Sequence, residues 1–247
     1  MNRIVRIFRR LWSRKGFGIH SPFVYDLVTN VIGEKCPYYY FREMEALRRR
    51  MEKEHLTTSY LGRPVSMDVV FRLHALPAAT GELLFRLANH YHPEYCLTVG
   101  PSSGFAPLYL TGCDSRVRCM DVSSEYALTY IAKRAAQQMH NSRIRFLTGH
   151  YGLRLFTALP DLPRLDGLYF SRHLTDEMLL KTFALSLPFV HNNSFCLIDG
   201  IHRTKERFAS WQILCSNSFV TATIDLYSCG LVFFRAGLPQ RTYMSIL

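Results

Sequence analysis

From about residue 80 onward one pattern repeats: a short apolar run, then a longer amphipathic stretch. The runs are YCLTVG (95–100), RVRCMDV (116–122), RIRFLTG (143–149), LDGLYF (165–170) and SFCLIDG (194–200). Apolar runs this short and this continuous suit strands buried on both faces. The stretches GELLFRLANHY, GFAPLYLTG, SSEYALTYIAKRAAQQMH, TDEMLLKTFALSLPFV and TKERFASWQILCS read as helices. Pro107 is tolerable in the first turn of the second, Ser123 or Ser124 caps the third, and Thr175 with two acids opens the fourth. Strands separated by helices of about 10–15 residues predict parallel βαβ units with right-handed crossovers. The closing segment VTATIDLYSCGLVFF reads instead as two strands joined near Ser228-Cys229-Gly230. That joint is too tight for a crossover, so the pair must be an antiparallel hairpin. The expected fold is α/β: a Rossmann-like, doubly wound, seven-stranded sheet, mostly parallel, with an antiparallel C-terminal hairpin.

The first 66 residues follow a different pattern. Arg3, Arg6, Arg9, Arg10 and Arg14 surround an apolar stripe of Ile4, Phe8, Leu11 and Trp12. This is a short amphipathic helix, either docked on the body against 37–54 or lying on an anionic surface; docking is the reading adopted. Ser21-Pro22 is a helix start, and 37–54 reads as a helix with a charged face. HLTTSYLGRPVS (55–66) is a polar break. The expected division is a helical N-terminal extension, 1–66, and a Rossmann-like domain, 67–247.

Composition narrows the classes. With 247 residues, 48% of them apolar, the chain affords a sizeable core. A net charge of +11 favours anionic ligands or surfaces, the basic N-terminus above all. No apolar run reaches the ~18 residues of a membrane span, and the N-terminus lacks the apolar core of a secretory signal, so a cytoplasmic location is expected. Seven cysteines, with no Cys-x-x-Cys pair, read as small buried hydrophobes in a reducing compartment.

In an open parallel sheet, ligands lie beyond the carboxyl ends of the strands, where strand order reverses. Four groups fall there: the loop Gly100-Pro101-Ser102-Ser103-Gly104, Asp121, Gly149-His150, and Asp199 through His202. Gly100 permits a tight turn and Gly104 a close backbone approach, while Ser102 and Ser103 present hydroxyls and amides at a helix start. Asp121, ending the next strand, suits a ribose diol; the plainer reading is that it caps the following helix with Ser123. Loop plus acid points to an adenosine-containing cofactor.

These elements resemble the class I S-adenosylmethionine-dependent methyltransferases. More narrowly, they resemble a bacterial group that opens with Gly-Phe-Gly-x-His-Ser-Pro-Phe, here Gly16 to Phe23. The likeness extends through YYYFREMEALRRRM, the Gly100 loop, DGIH at 199–202 with Trp211, and IDLYSCGLVFFR. It implies S-adenosyl-L-methionine as cofactor, held by Gly100, Ser102, Ser103, Gly104, Asp121 and Gly149. It also implies methyl transfer to a small-molecule acceptor, on oxygen. His202 and His173 are the candidate bases, with Asp199 orienting His202 or touching the acceptor; the plain alternative for each histidine is a surface or capping role.

The departures are specific. Relatives carry an acid where Thr98 stands, Asp-Gly-Asn-His where Phe170-Ser171-Arg172-His173 stands, and Asp-Asp-Ile-His where Asp199-Gly200-Ile201-His202 stands. Magnesium-dependent relatives assemble acids at the last two strand ends. Only Asp199 remains here, so no metal site is expected. The alternative function is a catalytically inactive, methyltransferase-like binding protein. An RNA substrate is disfavoured, because no Asn/Asp-Pro-Pro-Tyr follows the fourth strand and no Pro-Cys the fourth or fifth.

Overall fold

The computed structural model describes residues 21–238 and, for the backbone only, the strand Arg241–Met244. The basic segment 3–14 and its expected docking lie outside the described residues.

Ser21 caps α1 (Pro22–Leu27), its hydroxyl accepting from the Val24 amide as the Ser-Pro pair predicts. One wider helical turn, Val28–Ile32, continues it. α2 (Tyr39–Met51) falls within the expected 37–54 helix and buries Met44, Leu47 and Met51. The polar break is in fact a β-hairpin, β1 (Thr57–Tyr60) with β2 (Arg63–Ser66). Leu61 and Gly62 both take positive φ at its tip, 50° and 75°, as a two-residue hairpin turn of this hand requires. α3 (Met67–His74) and α4 (Ala78–Tyr91) follow.

The remaining elements are β3 (Tyr95–Val99), α5 (Phe105–Thr111), β4 (Arg118–Ser123), α6 (Tyr126–Gln138), β5 (Ile144–Thr148), α7 (Tyr151–Ala158), β6 (Leu165–Phe170), α8 (Asp176–Ser186), β7 (Val190–Asp199), α9 (Lys205–Cys215), β8 (Ala222–Asp225), β9 (Cys229–Phe233) and β10 (Arg241–Met244). The main sheet runs β10-β8-β9-β7-β6-β3-β4-β5. β9 is antiparallel to both its neighbours, and every other pairing is parallel. The seven expected strands are β3 to β9, and β10 adds an eighth at the edge. α7 had no counterpart in the sequence pattern, since YGLRLFTA opens without a capping side chain.

Successive strand residues point to opposite faces, and each face carries its own apolar layer. Cys96, Cys119, Tyr169, Phe195 and Phe233 pack under α1, α2, α4, α5 and α6. Leu97, Val99, Met120, Leu168 and Cys196 pack under α7, α8 and α9. Residues 24–51 thus share a core with the sheet. The seven cysteines are free, and Cys96, Cys119, Cys196 and Cys229 are buried. No helix among the described residues is long and apolar enough to cross a membrane.

Candidate active site

Strand order reverses between β3 and β6, and the glycine loop sits at that point. Gly100 has φ +111°, and a Cβ there would meet Ser171 Cβ at 2.8 Å. Gly104 has φ +79°, and a Cβ there would meet Ala132 Cα at 2.6 Å. One glycine therefore admits the loop after β6, and the other admits α6. Ser171 ties the two loops together, donating from its hydroxyl to Pro101 O (2.6 Å) and from its amide to Val99 O (2.9 Å). The loop's own serines divide. Ser103 donates to Phe71 O of α3 at 3.2 Å, which hangs that helix over the loop. Ser102 is buried too, yet its hydroxyl has no partner.

Asp121 lies opposite Thr98 in the β3–β4 register. The Thr98 hydroxyl donates to Asp121 Oδ1 at 2.5 Å. The residue is 2% exposed. Burial pushes its pKa up to about 7, the Thr98 hydrogen bond opposing only in part. The plainer reading of Asp121 as a helix cap is incorrect: Glu125 is the N-cap of α6, without a side-chain capping bond. Ser123 instead accepts from the Glu125 amide (3.3 Å), and Ser124 pairs with the Tyr151 hydroxyl (3.2 Å). Gly149 takes φ +132°, and its missing Cβ leaves room for Arg154, whose Nε donates to Thr148 O at 2.7 Å.

The raised Asp121 pKa sets a sign. A carboxyl whose folded pKa lies above its unfolded value of 3.8 favours folding when protonated and opposes it when ionised. Asp121→Asn should therefore gain stability over the parent as pH rises from about 4 through about 7. Paired thermal melts across that window check it; a constant difference would mean that Asp121 is ionised throughout.

The ends of β6 and β7 are arranged differently from expectation. Arg172 forks onto Asp199, Nε to Oδ2 and Nη2 to Oδ1, both at 2.7 Å. The Tyr169 hydroxyl donates to Oδ2 as well, at 3.2 Å. Asp199 is fully buried, so this acid is neutralised and held within the fold. It does not orient His202. That role falls to Asp225 at the end of β8, whose Oδ2 is 2.7 Å from His202 Nε2. The imidazole is stacked between Phe208 (4.5 Å, 24°) and Tyr227 (4.7 Å, 14°). Tyr227 holds φ +68° in the β8–β9 turn and donates its amide to Asp225 Oδ1 at 2.7 Å. One turn thus orients the acid and supplies one wall of the stack.

His173 sits apart from this pair. Its ring is 4.7 Å from that of His74 on α3, and His74 Nε2 is 2.7 Å from the Tyr60 hydroxyl. Burial, then His74, Arg203, Arg172 and Arg207, lowers its pKa to about 4. A base that weak takes protons poorly at neutral pH; what distinguishes His202 is the Asp225 carboxylate at its Nε2. Among the described residues no group of three or more His, Cys, Asp or Glu side chains could hold a metal ion.

Asp225, Tyr227, Phe208, His74 and Arg172 were not marked from the sequence. For Asp225 the signal existed: it ends VTATID as Asp199 ends SFCLID. Nothing local marked the other four.

No protein-family model and no curated protein matches this chain. Solved structures do. An O-methyltransferase from Bacillus cereus, in complex with S-adenosylhomocysteine, aligns with TM-score 0.60 over 85% of this chain and 97% of its own, at 13% identity. The O-methyltransferase TomG from Streptomyces achromogenes, in complex with S-adenosylmethionine, aligns with TM-score 0.59 over 86% and 95%, at 14% identity. A structure described as a putative O-methyltransferase from Klebsiella pneumoniae aligns with TM-score 0.58 over 93% and 100%, at 13% identity. Strand order, hairpin and switch-point loop together give this chain the class I methyltransferase fold.

Proposed function

We propose that the protein is an S-adenosylmethionine-dependent methyltransferase acting on an oxygen of a small-molecule acceptor. The observation that carries this reading is Ser102: a buried hydroxyl with no partner, in a positive-φ glycine loop at the strand-order reversal. Buried polar groups are rarely left unpaired, so an orphan at this point fits a ligand that completes it. Gly100, Ser102, Gly104, Asp121 and Gly149 would hold the cofactor; Ser103 contributes by holding α3 over it. When bound, S-adenosylmethionine supplies a methyl group on an already activated sulfonium.

The chain's own task is then to align the acceptor and take its proton. With Nε2–H directed at the Asp225 carboxylate, the neutral imidazole of His202 keeps its Nδ1 lone pair free. A hydroxyl of the acceptor gives its proton to Nδ1, and Asp225 stabilises the imidazolium that results.

Calorimetric titration with S-adenosylmethionine and S-adenosylhomocysteine tests the binding half. Saturable binding is expected, and Ser102→Ala should weaken it by roughly 1 kcal/mol, about fivefold. For the parent, a flat titration with both compounds would remove the cofactor from the proposal. His202→Gln and Asp225→Asn should lower kcat by about 10²–10⁴-fold while leaving that binding intact. A second reading rests on Asp121, whose carboxyl is buried and already bonded by Thr98. Cofactor binding without methyl transfer to any oxygen acceptor would favour it, making the chain a binding protein on an enzyme's fold.

A further inference from the structure

Three guanidinium groups, of Arg172, Arg203 and Arg207, meet around the ends of β6 and β7. Gly200 takes φ +73°, and a Cβ there would lie 2.7 Å from Arg203 Cδ and 2.9 Å from Arg172 Cβ. That missing atom lets the stem of Arg203 fold back across the end of β7. Its Nη1 then donates to Arg172 O at 2.8 Å. Arg207 reaches the same rim from α9. Its Nη2 donates to the carbonyls of Leu174 and, at 3.2 Å, Arg172. Its Nε meets Asp176 Oδ1 at 3.1 Å. Its Nη1 is buried and has no partner.

The charges are unevenly matched. Arg172 is paired with Asp199, and Arg207 has Asp176. Arg203 has no carboxylate within ion-pair distance among the described residues; its side chain is exposed, and Nη1 rests on a carbonyl. An accessible guanidinium with no counter-charge, beside a buried second that has an orphaned donor, matches the planar fork by which arginine grips an oxyanion.

We infer that Arg203, backed by Arg207 and seated by Gly200, binds an oxyanion of the methyl acceptor, a carboxylate or a phosphate, so that the acceptor is an anionic small molecule. The identification of the ligand as acceptor rests on the methyltransferase reading; the anion site itself does not. His202 precedes Arg203 in the same loop after β7. His173 stands in the field of the same arginines and reports on occupancy.

The test is residue-resolved NMR of the full chain, titrated separately with inorganic phosphate and with benzoate at ionic strength held constant by chloride. Saturable shifts are expected at Gly200, Arg203 and the His173 ring, with the His173 pKa rising as the anion offsets the arginine field. Whichever of the two probes saturates names the oxyanion. Arg203→Met should weaken binding at least tenfold. Gly200→Ala keeps every charge but displaces the Arg203 stem, and should weaken it as well. Shifts that persist unchanged in Arg203→Met, that fail to saturate, or that fall only on the basic residues 1–15 would overturn the site. Calorimetry with S-adenosylhomocysteine on the same samples separates the two claims. Anion binding that depends on Arg203 without cofactor binding keeps the oxyanion site and overturns its assignment to a methyl acceptor. Cofactor binding without Arg203-dependent anion binding overturns the inference and leaves the methyltransferase reading standing.

Discussion

Replacing Arg172 with methionine should lower the melting temperature at neutral pH by about 10 °C. Asp199 is fully buried and receives both arms of the Arg172 guanidinium at 2.7 Å. Among the described residues, removing the cation leaves the carboxylate one side-chain hydrogen bond, from the Tyr169 hydroxyl. Breaking one partner of such a pair costs about 3–5 kcal/mol, because the surviving charge is uncompensated. For a chain of this size each kcal/mol moves the transition by roughly 2–4 °C. The loss comes from the stranded acid rather than from any large net value of the pair. The double variant Arg172→Met/Asp199→Leu should therefore recover most of the stability, and a melting series on parent, single and double variants reads this directly. A single variant within about 2 °C of the parent would mean that Asp199 is solvated or protonated without cost.

The second large effect is expected at Gly104. Its φ of +79° strains any L side chain, and the added Cβ would lie 2.6 Å from Ala132 Cα and 2.7 Å from Ala132 Cβ. Neither atom can swing away, because both are fixed to the α6 backbone. Gly104→Ala must therefore push α5 from α6, costing about 1–3 kcal/mol for overpacking on top of about 1–2 kcal/mol for the backbone. Gly62 provides the control: it has nearly the same φ, +75°, and nothing within 4 Å of the missing Cβ. Gly62→Ala should cost only the backbone share. Denaturant unfolding of the two variants isolates the steric part by difference, and equal losses would show that the α5–α6 contact yields. The same displacement moves the loop that carries Ser102, so Gly104→Ala should also lose cofactor affinity where Gly62→Ala does not.

Much of the architecture was legible along the chain because it is encoded by near neighbours. Short apolar runs mark β3 to β9, since strands buried on both faces are mostly apolar; the edge strand β5 is only partly buried. Ser21 and Thr175 cap their helices through bonds to the amide three residues on, a relation local enough to read directly. Gly100, Asp121 and Asp199 could be placed at strand ends for the same reason. The hairpin at 57–66 escaped notice because its strands are only half-buried and its residues polar.

Which residues stand at the carboxyl rim of the sheet follows from local pattern; what each of them does there follows from how the strands pack. Thr98 and Asp121 are 23 residues apart, His202 and Asp225 also 23, and Arg172 and Asp199 27. Each pair meets because strand order and register bring two strand ends or their loops side by side. Local pattern carries no information about which strand lies next to which. The expectation that Asp199 orients His202 followed nearness in the chain. In space Asp199 is taken by Arg172 from the neighbouring strand end, and His202 turns to Asp225. A buried carboxylate needs a cation more than a histidine needs one particular acid, and packing β6 against β7 supplied the cation.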